Sequence, residues 1–300
     1  MQRIGELAAF GTAICWTVSA VFFETASRRI GTLAVNFFKL VGAIVLLSGT
    51  AWLLRGLPFP SDAPGSAWLW LSASGLVGFV VADIFLFNAY VMIGSRTTML
   101  FLALSPPTTA LFSFLAVREL MPPRGLLGMA LVCAGIAAAV LGRSRDSREE
   151  PARDRDRRRL GYLFAFLASV GQSAGMILTK LGSAGYDTVA ATQIRVLAGM
   201  VGFAVVALVS GKGRKVFAEA PREGVGIRNT LAGAVFGPFL GVTLSVFALN
   251  HTQAGTVSTL IGLAPILIIL PSVVFLKQKV SLWEVLGACA AVGGTVVFFL

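Results

Sequence analysis

A chain of 300 residues that is 56% hydrophobic and only 13% charged, with a mean hydropathy of +0.82, is excluded from the ordinary soluble globular class. Its net charge of +11 would suggest nucleic acid in a soluble protein. Here most Lys and Arg fall between apolar runs, as membrane insertion requires, and no basic face interleaved with aromatics supports a nucleic-acid interface.

Ten apolar runs are long enough to cross a hydrocarbon core of about 30 Å as helices. They are predicted near 6–27, 33–54, 67–90, 97–117 and 124–142, then 160–180, 188–210, 229–250, 256–276 and 281–300. The first is too long for a signal peptide and has a counterpart starting at Leu160, so it counts as a span. Cys15, Cys133 and Cys289 lie inside spans without metal-like spacing and read as small buried apolar residues. The stretch Pro58–Ser66 is a turn-rich loop flanked by the interfacial aromatics Trp52, Trp68 and Trp70. Arg143–Arg159, with eight arginines and five acids, reads as a solvated, mobile linker between two halves, 1–142 and 160–300.

The halves repeat each other. Residues 96–137 align without a gap on 255–296 at an offset of 159, bringing Thr97 onto Thr256, Pro106 onto Pro265, Gly128 onto Gly287 and Gly135 onto Gly294. Earlier the offset is 156, and Lys39 falls on Arg195. Five spans per half place the second half in the membrane upside down relative to the first, and inverted repeats give two mirror conformations of similar energy. The expected architecture is therefore all-α and integral to the membrane, with ten transmembrane helices as two inverted five-helix repeats.

Loops on one side hold 18 Lys and Arg and those on the other hold five, with Lys39 and Arg195 inside spans. The positive-inside rule then places both termini outside the cytoplasm.

Each half carries a glycine and alanine in its third span (Gly78 and Ala89; Gly237 and Ala248) and a proline in the fourth (Pro106; Pro265). A polar pair follows (Arg118-Glu119; Lys277-Gln278), then two glycines seven apart (Gly128 and Gly135; Gly287 and Gly294). With the duplication, this order resembles the EamA family of the drug/metabolite transporter superfamily over almost the whole chain. The resemblance implies export or exchange of small organic solutes such as amino acids, other metabolites or drugs. It also implies a cavity lined by both halves, peripheral fifth and tenth spans, and cytoplasmic termini, the reverse of the Lys/Arg count. The chain departs from the family at Gln278, where a second glutamate is usual.

Ionisable residues inside a membrane are costly and mark pathways or partners. Lys39 and Asp83 lie about two turns, roughly 9–10 Å, from the same membrane side and are expected to pair. Arg195 has no such partner, because Val242 stands where the repeat would put a carboxylate. It is the candidate anchor for an anionic group, with Thr188, Thr192, Gly199 and Gly202 on its helical face. Trp16 and Ser19, Tyr90 with Phe87, Gln172 with Met176 and Thr179, and Thr256 with Thr259 are the further candidates for lining a solute cavity. Asp83 and Glu24 are the carboxylates available for proton coupling. Pro106, Pro107 and Pro265 free carbonyls and kink their helices, and the seven-spaced glycines read as close helix contacts.

No phosphate-binding Gly-x-x-x-x-Gly-Lys-Ser/Thr loop is present, and with one histidine, His251, no metal cluster or nucleophile–base set can be assembled. Neither a cofactor nor a metal is expected, nor an enzyme. The expected protein is a transporter in the inner (cytoplasmic) membrane, taking a small-molecule substrate by alternating access, as monomer or homodimer. The alternatives are a membrane enzyme or flippase-like protein acting on a lipid-linked substrate, and a non-transporting membrane scaffold.

Overall fold

In hydrocarbon each backbone N–H and C=O must find a partner within the chain, so long apolar runs fold as helices. The computed structural model describes residues 2–112 except 106 and 110, residues 127–138 except 129, and residues 152–252, 257, 260–269, 273 and 281–299. Its regular elements are helical, the main ones being α1 (Gln2–Ile30), α2 (Thr32–Arg55), α3 (Gly65–Ile93), α4 (Ser95–Leu102), α5 (Ala152–Ser183), α6 (Thr188–Val209), α7 (Gly224–His251), α8 (Ala264–Leu267) and α9 (Leu282–Phe299), with a further helical stretch among the described residues of 127–138. Helices α1, α2, α3, α5, α6 and α7 are each long and apolar enough to cross a membrane. They correspond to the first three expected spans of each half. The other four expected spans are only partly covered by the described residues, so six spans are established of the ten expected.

Single glycines set the tight turns. Gly31 (φ 83°) separates α1 from α2 and Gly94 (φ 81°) separates α3 from α4. Gly56 (φ 70°) ends α2 by donating its N–H to the Trp52 carbonyl at 2.9 Å. These positive φ values are open to glycine at little cost. Asp187 caps α6 by accepting from the Ala190 N–H at 2.9 Å. Part of the expected linker is ordered differently: Ala152–Arg159 forms the first turns of α5, where Asp156 and Arg159 approach to 4.0 Å at i,i+3 spacing. The rest of it, 143–151, lies outside the described residues.

The two halves exchange their first helices. α1 packs on α7 of the other half, α5 packs on α3, and α2 packs on α6. Small residues permit the approach, as in other membrane bundles. A Cβ on Gly171 or Gly175 of α5 would stand 2.8 Å from Ala82 or 3.0 Å from Gly78 of α3. On the other side of the pseudo-symmetry, one on Gly237 of α7 would stand 3.0 Å from the Phe23 ring of α1. A Cβ on Gly75 would collide with the Arg195 carbonyl of α6. Large apolar side chains such as Leu53, Leu54, Val205, Leu208 and Val209 face outward, as a surrounding lipid phase allows.

Both third spans contain a stretch of π-helix, Leu76–Val81 in α3 and Val235–Gly241 in α7. Their first residues are related by the same offset of 159 that relates the glycines Gly78 and Gly237. The expected fourth and ninth spans both break at positions again 159 apart, 103–104 and 262–263. There Ala103 donates to the Leu100 carbonyl and Leu263 to the Leu260 carbonyl, both i→i−3 bonds. The breaks immediately precede Pro106 and Pro265, consistent with the lost i→i−4 bonds expected at proline. Pro106 itself and the side chain of Pro265 lie outside the described residues. Gly135 and Gly294 sit where a Cβ would come within 2.6 Å of the facing Ala291 and Val132 nitrogens, the close contact expected of the seven-spaced glycines.

Candidate functional site

Between the halves lies a cavity with about 760 Å³ of empty space, part of it open to solvent. Its wall is drawn from α1, α2, α3, α4, α5, α6 and α7. Six of the residues singled out in the sequence line it: Trp16, Lys39, Asp83, Tyr90, Gln172 and Arg195. Ser19, Phe87, Met176 and Thr179, noted on the same helical faces, line it as well.

Its charged floor is built from two elements that meet because both carry their ionisable residue near the same depth. Lys39 Nζ of α2 stands 2.5 Å from Asp83 Oδ2 of α3, both side chains about 95% shielded from solvent. The second oxygen of Asp83 accepts from the Gln172 amide of α5 at 3.2 Å. A carboxylate in an apolar bundle thus gains a charge-assisted bond and a neutral one, offsetting part of its desolvation.

Arg195 is different in kind. It is 7% exposed, its Nε is buried without a hydrogen-bond partner, and among the described residues no ion pair reaches it. Its guanidinium carbon sits 5.1 Å from the centre of the Phe79 ring, a cation–π contact. An arginine that escaped to the interface would be solvated at its tip; this one is held inside.

The face expected to surround Arg195 does not open on the cavity. Gly199 and Gly202 pack against Phe79 and Val80 of α3, and Thr192 is fully buried with its hydroxyl donating to the Thr188 carbonyl at 2.8 Å. Helix contacts claim that face because its residues are small. Thr192 is therefore no part of the cavity wall. Glu24 is not either. Its carboxylate is 3% exposed, bonds Arg28 at 2.9 Å and accepts the Ser95 N–H at 2.7 Å, so it ties α1 to the start of α4. Thr256 and Thr259 lie outside the described residues, as do Arg118, Glu119, Lys277 and Gln278.

The aromatic lining was only partly visible in the sequence. Phe23 and Phe79 line the cavity beside Phe87. The signal that could have found Phe79 is its place one turn before Asp83, with Pro238 at the equivalent position of the other half. A smaller, mainly apolar hollow adjoins the cavity through Trp16, Met99, Leu102, Gln172 and Met176. Among the described residues no His/Cys/Asp/Glu group is placed to hold a metal ion.

At the membrane end where α2 stops and α6 starts, Arg55 reaches across the halves. It bonds Asp62 at 2.5 Å and lies 3.4 Å from Asp187, while the Tyr186 hydroxyl donates to Asp62 at 3.1 Å. The hydrogen bond from Arg55 is the main reason the Asp62 carboxyl is held below the usual carboxylate range. Burial, reinforced by Asp62, pushes the Tyr186 phenol up. At the other end Arg29 pairs with Glu223 at 3.2 Å, again joining one half to the other.

Two helical halves around a partly charged, solvent-reaching cavity define a multi-pass membrane protein built for a small solute. The EamA-like transporter family matches twice, over residues 3–141 and 159–300. The chain belongs to that family, and is a membrane transporter. No curated protein matches it in sequence. A solved crystal structure of a protein is similar over 98% of this chain and 95% of its own, with a TM-score of 0.67 and 19% identity. At that identity the likeness establishes the fold.

Proposed function

We infer that this protein moves small organic anions across the inner membrane by alternating access between its two inverted halves. The observation that carries the reading is Arg195, a buried guanidinium with an unsatisfied Nε in the wall of the central cavity. A carboxylate offers the bidentate partner that guanidinium lacks. The Lys39–Asp83 pair lies in the same wall and is the element whose charge balance an incoming anion changes. If transport is coupled to protons, Asp83 is the carboxylate placed to carry them, since Glu24 is committed to Arg28 and Ser95. The charge contacts that cross between the halves, Arg55–Asp187 at one end and Arg29–Glu223 at the other, are what closing one end and opening the other would exchange.

The test is thermal stability of the purified chain with carboxylates, amino acids, sugars, nucleosides and cationic drugs. A ligand bound only by the folded state stabilises it by about 2.7 kcal/mol at a hundredfold excess over Kd. A shift confined to carboxylate-bearing solutes and lost in Arg195→Gln supports the reading. A shift with cations alone, or an undiminished one in Arg195→Gln, overturns it.

A further inference from the structure

The Lys39 ammonium sits in a more complete site than its ion pair requires. Its Nζ lies 4.1 Å from the centre of the Phe87 ring, 5.5 Å from that of Phe23 and 6.0 Å from that of Phe79. Asp83 closes the fourth side at 2.5 Å. Three aromatic faces and one carboxylate form the arrangement that recognises alkylammonium and quaternary ammonium ligands. Each of these residues also lines the cavity that solutes enter.

We propose that Asp83, Phe23, Phe79 and Phe87 form a cation-binding cage that is filled by the protein's own Lys39, so that Lys39 acts as a tethered occupant excluding cationic solutes. The proposal rests on the reading of the cavity as a solute site and assigns it a selectivity determinant. A butylammonium-like head on a four-carbon stem is what lysine presents, and its tether gives it an effective concentration that a free amine in solution cannot match. An anion meets no such competitor, because the cation it would pair with, Arg195, has a buried Nε without a hydrogen-bond partner and no ion pair among the described residues. The wall is thereby closed to one sign of charge and open to the other.

Removing the lysine side chain should open the cage. In Lys39→Ala, n-propylammonium chloride is expected to raise Tm by roughly 5 °C near saturation, against sodium chloride at equal ionic strength. Wild type should show no shift with the same amine, and Lys39→Ala/Asp83→Asn should lose the response. A folded Lys39→Ala that ignores propylammonium and tetramethylammonium alike overturns the proposal, as does a wild-type shift of equal size. Should Lys39→Ala not fold alone, it is purified in propylammonium, in sodium chloride and in sodium propionate. Recovery of folded protein with the amine only supports the cage; recovery in all three, or in none, overturns it. The anion-dependent shift of the wild type is read in parallel. Its loss with amine rescue intact counts against the anion reading alone, and its survival without rescue counts against the cage alone.

Discussion

Lys39 and Arg195 occupy equivalent places in the two halves, and both stand over the same ring, Phe79, at 6.0 and 5.1 Å. Among the described residues, only Lys39 of the two has a carboxylate at ion-pair distance. In the second half Asp83 is replaced by Val242 and Phe79 by Pro238, so duplication has left two cations with one counter-charge. Phe79→Leu should keep the fold, cost about 1–2 kcal/mol of cation–π attraction, and weaken any Arg195-dependent solute shift. A solute response equal to wild type in that variant would show that the ring does not position Arg195.

Breaking the buried pair from one side should be far worse than removing it. Asp83→Asn leaves the Lys39 ammonium enclosed without its carboxylate and is expected to cost about 3–5 kcal/mol. Lys39→Met/Asp83→Asn should recover most of that loss, because neither charge is then buried alone. Denaturant titration of the three proteins in one detergent measures it, and a double variant no more stable than Asp83→Asn would count against the coupling.

Glu24 was a proton-coupling candidate by position, and its two partners give it a structural task. Glu24→Ala should lower stability by about 1–2 kcal/mol, the cost of a lost cap with its charge-assisted bonds. In vesicles that respond to a pH gradient, Asp83→Asn should abolish the response and Glu24→Gln should preserve it. The opposite result would return the coupling role to Glu24.

The Arg55–Asp62 contact lies at a membrane end, outside the cavity, and should report acidification. Because the folded-state Asp62 value lies below the ordinary one, the contact contributes in full above about pH 4 and is lost as pH falls through the depressed value. Tm of wild type should therefore drop below about pH 4 more steeply than that of Asp62→Asn. Parallel curves for the two proteins would mean the contact does not survive in solution.

Gly294 approaches the facing helix so closely that Gly294→Val should force the two apart, costing about 1–3 kcal/mol as overpacking does. Since neither helix contributes to the cavity wall among the described residues, the solute response per folded molecule should be unchanged.

Much of this was legible in the sequence because the membrane leaves few choices. Apolar run lengths marked the six established spans, and counting residues from one interface paired Lys39 with Asp83. The duplication also showed that Arg195 lacked the matching carboxylate. What stayed hidden depended on packing between sequence-distant helices. Thr192 shares a helical face with Arg195, but small residues there draw α3 in and shut it from the cavity. Phe23 comes to Lys39 across the bundle from α1, and no spacing within one helix announces that. The Glu24–Ser95 bond joins residues 71 apart and depends on how α1 meets the Gly94 turn.

The π-helical turn in α3 bears on how such a helix can be altered. A π-turn accommodates one residue more than an α-turn, so everything after Val81 is rotated by about 100°, one residue's worth, relative to an unbroken α-helix. Asp83 owes its direction to that surplus. Deleting a single residue between 76 and 81 would remove the surplus, let an ordinary α-turn close and leave the carboxylate facing Lys39. Tightening the π-turn with no residue lost would instead swing Asp83 off Lys39 and present a neighbour. A change of turn without any change of sequence would thus re-aim the charge of the pathway in α3, and the same change in α7 would move none, because Val242 stands where Asp83 does.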